Sequence, residues 1–121
     1  MKKTSKAYFH RFKKAFLYWQ KRLGLTQYRI SFTNKYHPDD YAEITIMQLG
    51  KCATVLLTTE LTGPSADSIL NPEDHAKHEA IHLLLSRLTW LGQSRYIEQN
   101  DLSEEEEAVV VRLENVLEQE Q

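Results

Sequence analysis

The run AKHEAIHLLLSRL sets His78, Glu79 and His82 as an HExxH motif within helical apolar spacing. Residues four apart on a helix share one face, one turn above each other, so both imidazoles can reach a single metal ion while Glu79 flanks it. Two neutral imidazoles suit zinc, and a catalytic zinc site takes one more protein ligand and keeps an open position for water. The motif therefore demands a helix, and its flanks predict one. Asn71 is a good cap, Pro72 suits the first helical position, and Glu73 and Asp74 put acid where the helix dipole favours it. Leu83, Leu84, Leu85, Leu88 and Leu91 are expected to bury one side, and Gly92 to end the helix. The competing reading makes Glu79 one more charge on a solvated face, and the helical context weighs against it.

A chain of 121 residues is expected to form one domain, residues 1–121, with a single core. Its hydrophobic and charged fractions, 41% and 26%, are those of an ordinary globular protein. Cys52 is the single cysteine, so neither an intramolecular disulfide nor a thiolate zinc cage is expected. No apolar run approaches the ~20 residues that span a bilayer, and no long apolar segment follows the N-terminal lysines. Cytoplasmic residence without membrane attachment is the expectation.

Charge is polarised although the net value is only −2. Lys2, Lys3, Lys6, Arg11, Lys13, Lys14, Lys21 and Arg22 lie within residues 1–24 without an acid, whereas residues 98–121 hold nine acids and only Arg112. A basic helix of this kind can bind nucleic acid. Tyr8, Phe9, Phe12, Phe16, Trp19 and Leu23, however, recur at helical spacing as a core stripe, which makes the lysines and arginines its solvated face. Nucleic acid is therefore not the expected partner.

The expected order is a helix, three strands and two helices, an α+β arrangement. The first helix spans about Lys6 to Leu23 and stops at Gly24 in a left-handed turn. Tyr28 to Thr33 and Tyr41 to Met47 alternate as strands, with a turn at His37, Pro38, Asp39 and Asp40 between them. Cys52 to Thr59 reads as a strand buried on both faces, joined to the preceding one as an antiparallel hairpin through Gly50 and Lys51. Residues 60–70 form a loop before the motif helix.

The third ligand decides the class of metal site. No histidine follows His82, so a carboxylate is needed, and the acids cluster at Glu104, Glu105, Glu106 and Glu107. At about 100° per residue, Glu106 projects near the centre of the stripe formed by Val109, Val110, Leu113, Val116 and Leu117, with Glu105 about 80° and Glu107 about 120° away. Glu106 is the expected ligand and Glu107 the reserve. Against this, Ser103 and Glu106 have capping-box spacing, which would turn Glu106 back on the helix start; a cap at Asp101 would release it.

HExxH followed some two dozen residues later by a glutamate on the next helix resembles the gluzincin pattern. LGLTQYRISF, HEAIHLLL and EEAVVVRLENVL together resemble the small zincin-like metallopeptidases of phages and mobile elements, broadly related to the ImmA/IrrE family. The resemblance implies a minimal zincin-like domain with an N-terminal helix, a three-stranded sheet, the HExxH helix and a C-terminal helix. It implies Zn2+ held by His78, His82 and a glutamate of the 104–107 run, with Glu79 as catalytic base on a protein or peptide substrate. An extended substrate along an edge strand is also implied. For oxyanion donors the chain offers His75, Arg95 and Tyr96, each better read as a surface or packing residue. Two other readings compete: a zincin-fold interaction module without turnover, and a nucleic-acid binder acting through residues 2–22.

Overall fold

The computed structural model describes residues 2–37, 41–61, 71–94 and 96–119. Their order is β1 (Lys2–Lys3), α1 (Lys6–Arg22), β2 (Arg29–Asn34), β3 (Ala42–Met47), β4 (Cys52–Leu57), β5 (Glu60–Leu61), α2 (Pro72–Gly92) and α3 (Gln99–Gln119). The fold is α+β, with three helices and a three-stranded mixed sheet. No helix among these residues is long and apolar enough to cross a membrane.

Ser5 caps α1 by accepting a hydrogen bond from the Tyr8 amide, and Gly24 follows the helix at φ 74°, a conformation that costs glycine nothing. The turn beyond is held from inside. Gln20, 7% exposed, donates its side-chain amide to the carbonyls of Leu25 and Tyr28 at 3.0 Å each, which pairs two backbone acceptors in an apolar setting.

β4 is the central strand, with β2 parallel on one side and β3 antiparallel on the other. The expected hairpin between the last two strands is present, and Lys51 takes a positive φ of 50° in its turn. The expectation that β4 is buried on both faces is corrected. Ala53, Val55 and Leu57 are buried, but Thr54 is exposed and Cys52 and Leu56 are intermediate. The buried side of the sheet packs against helices in one core, where Phe12 and Phe16 of α1 join Ala76, Ala80, Leu83 and Leu84 of α2. Phe16 meets Phe32 edge to face at 5.7 Å.

Residues 60–61, expected as loop, pair with the N-terminus as a short antiparallel ladder between β5 and β1. Pro38 to Asp40 of the expected turn, residues 62–70 of the loop, and Arg95 lie outside the described residues. Asn71 caps α2 as expected, its side chain accepting from the amides of Glu73 and Asp74. Gly92 does not end α2: it is the last helical residue, and Gln93 caps in a right-handed conformation, its amide donating to the Thr89 carbonyl at 3.2 Å. The start of α3 also differs from expectation. The helix begins at Gln99, and the Asp101 carboxylate accepts from the Glu98 amide at 3.1 Å, so neither Asp101 nor Ser103 is the cap.

Candidate metal centre

His78, Glu79 and His82 come together on α2. Their possible ligand atoms all lie within 4.8 Å of one another, and the two imidazole rings are 4.8 Å apart at 77°. Both histidines are exposed, whereas Glu79 is 6% exposed. The difference follows from helical phase. The buried positions Ala76, Ala80 and Leu83 turn one side of α2 into the core, and Glu79 sits at the margin of that side while His78 and His82 look outward.

The cluster lines a groove of about 530 Å³ between α2 and β3. Ala42, Ile44 and Ile46 form the strand side of the groove; all three pair with buried β4 residues, respectively Leu57, Val55 and Ala53. β3 pairs with β4 along one edge, and among the described residues no strand pairs with its other edge. The groove thus combines imidazoles, a buried carboxylate and an open strand edge.

Polar chains fix both sides of this cleft. Gln48, 7% exposed, accepts from the Tyr28 hydroxyl at 2.9 Å and donates to Ser86 Oγ at 2.7 Å, and Ser86 donates onward to the Leu83 carbonyl at 2.7 Å. This ties the β3–β4 turn to α2. Near the start of β3, the His75 ring lies 3.9 Å from the Tyr41 ring, and the Tyr41 hydroxyl donates to Tyr8. Burial, reinforced by nearby His78, pushes the His75 imidazole below its ordinary pKa; burial together with Tyr8 pushes the Tyr41 phenol up. His75 is therefore a packing residue of this corner. Tyr96 is 88% exposed and Arg95 lies outside the described residues, so neither is assigned to the site.

The expected third ligand is not brought to the histidines. Glu106 is exposed on α3 and stands outside the cluster, as does the reserve, Glu107. The glutamate that turns toward α2 is Glu105, whose side chain is 14% exposed and whose Oε2 lies 3.4 Å from Arg87 Nε. The reason is the phase of α3. Its inward face carries Glu105, Val109, Arg112 and Val116, which rotates the apolar stripe so that Val110, Leu113 and Leu117 stay exposed.

Reading the sequence for ligands missed Glu43 and Trp90, which line the groove. Glu43 Oε2 is 3.0 Å from His37 Nε2. Its signal was the alternation of the strand, but its place beside the metal motif depends on β3 taking the sheet edge, which only the tertiary pairing decides.

Two imidazoles on successive turns and an adjacent carboxylate match the donor chemistry of zinc, so His78 and His82 fit as ligands on this side of an ion. Comparison with protein-family models found no match, and neither did comparison with curated proteins and with solved structures.

Proposed function

We propose that this chain is a zinc-dependent metallopeptidase of the zincin kind, acting on extended segments of protein substrates. The observation that carries the proposal is the gathering of His78, Glu79 and His82 on one helix, beside a groove whose other wall is an edge strand.

His78 and His82 would hold the metal through their imidazole nitrogens. Zinc, when bound, supplies Lewis acidity, which makes water a nucleophile at neutral pH and withdraws electrons from a peptide carbonyl. Glu79 is the general base: its carboxylate accepts a proton as water oxygen bonds to the carbonyl carbon, and returns it to the amine nitrogen as the C–N bond breaks. Its burial on the side of α2 that carries Ala76 and Ala80 restricts the orientation of that carboxylate. The open edge of β3 offers backbone N–H and C=O groups to an extended peptide, which pairs as an added strand; such pairing depends little on side-chain identity.

The test is the metal content of untagged protein, measured by elemental mass spectrometry on the parent and on His82→Ala. About one zinc per chain in the parent and none in the mutant is the expected result. A parent that stays free of metal after zinc is supplied would remove the basis of the proposal.

A further inference from the structure

We propose that the chain pairs with a second copy of itself through the groove between α1, α2 and α3, an association that does not depend on the metal site. This groove, about 450 Å³, is lined mainly by apolar side chains and lies away from the HExxH cluster. Trp19 of α1 and Leu23 at its C-cap form one wall, Leu113, Val116 and Leu117 of α3 the other, and Ile81 of α2 joins them. Ile81, Leu113 and Leu117 are 41%, 40% and 62% exposed, and Val110 continues the patch along α3 at 40%. Adjoining apolar exposure on α2 and α3, continuous with the half-buried Trp19, marks an interaction surface rather than scattered surface hydrophobes.

Charge complementarity selects the occupant. The α1–α2 side of the groove carries two cations, with Lys77 Nζ 4.9 Å and the Arg22 guanidinium 5.3 Å from the Trp19 ring centroid. The matching ligand is an amphipathic helix with an apolar stripe bordered by acid. α3 is such a helix. At about 100° per residue, Glu107 and Glu114 border the Val110, Leu113 and Leu117 stripe on the side away from the buried Val109 and Val116. Leu113 and Leu117 are at once a wall of the groove and the ridge that would enter a partner's groove. A surface that is both socket and ridge around the same residues is self-complementary, the condition for a two-fold interface. In that arrangement the α3 stripes of the two copies pack together, and the acids of each α3 face the Lys77 and Arg22 side of the other copy.

Sedimentation velocity and light scattering on the full chain test this. The parent is expected to run at twice the 14.2 kDa chain mass at high concentration. Leu113→Glu combined with Leu117→Glu should leave a monomer with unchanged circular dichroism, since both side chains are exposed. Lys77→Glu alone should weaken the dimer roughly tenfold, and Lys77→Glu with Glu114→Lys should restore it. A parent that is monomeric up to ~1 mM overturns the proposal and gives the groove to a different occupant. A dimer that survives the double glutamate variant, or that the reversed charge pair fails to restore, overturns it as well.

Discussion

The Arg11 guanidinium donates two hydrogen bonds of 2.8 Å to the two carboxylate oxygens of Glu73, joining α1 to the first turn of the motif helix across 62 positions of sequence. The contact is parallel and bidentate, and it links α1 to the start of α2 at the protein surface. Glu73 also lies at the helix N-terminus, where its charge is favoured.

That pair yields a pH dependence. The hydrogen bonds from Arg11 hold the Glu73 carboxyl below its ordinary value of 4.5. Its folded pKa is depressed, so its contribution to stability is present above 4.5 and is lost as pH falls through the depressed value. Glu73→Gln should therefore flatten the acid limb of a plot of thermal midpoint against pH while changing the midpoint little at neutral pH, because the pair is exposed to solvent. Identical acid limbs in parent and variant would show that the pair contributes nothing.

Glu79 and the histidines separate by different readouts. Glu79→Gln is expected to keep zinc while lowering peptide hydrolysis about 10²- to 10⁴-fold, the range for loss of a general base. His78→Ala is expected to lose both. Turnover by Glu79→Gln equal to that of the parent would remove the assignment of the base.

Two neighbouring glutamates of α3, Glu105 and Glu106, should behave differently. Glu105→Ala leaves Arg87 without the carboxylate 3.4 Å away and is expected to lower stability by about 1 kcal/mol. Glu106→Ala, at an exposed position, should change stability by less than about 0.5 kcal/mol and leave the zinc content equal to the parent's. A loss of zinc in Glu106→Ala but not in Glu105→Ala would mean that α3 rotates when metal is present.

Gln20 tests the turn that carries the chain from α1 into the sheet. Gln20→Leu removes both hydrogen bonds; the Leu25 carbonyl keeps the Tyr28 amide at 3.2 Å, whereas the Tyr28 carbonyl loses its side-chain donor, an expected loss of about 1–2 kcal/mol in urea unfolding. A variant as stable as the parent would show that the Tyr28 carbonyl finds another partner.

Much of this architecture is legible in the residues. Asn71, Pro72 and the leucines after His82 locate the motif helix, and Phe12 and Phe16 mark the inner face of α1, because capping and periodicity act locally. α3 marks where such reading stops. Its five apolar positions span both a core face and an open groove, so the centre of the stripe points between them and toward Glu106, whereas burial singles out Val109 and Val116. The run in β4 likewise suggests burial on two sides, but helices pack on only one, and Thr54 is left exposed. Strand order, which sets β3 at the edge beside α2, has no local signature at all.

That edge also has a consequence for how the chain survives in concentrated solution. A strand with unpaired amides and carbonyls is a template for any other extended chain, including a partly folded copy, and can seed fibrous assembly. β3 is only six residues long and bears Glu43 near its start, and both features limit the growth of a second strand upon it. Replacing Glu43 with valine would remove the charged guard and is expected to make the chain more prone to aggregate through this edge.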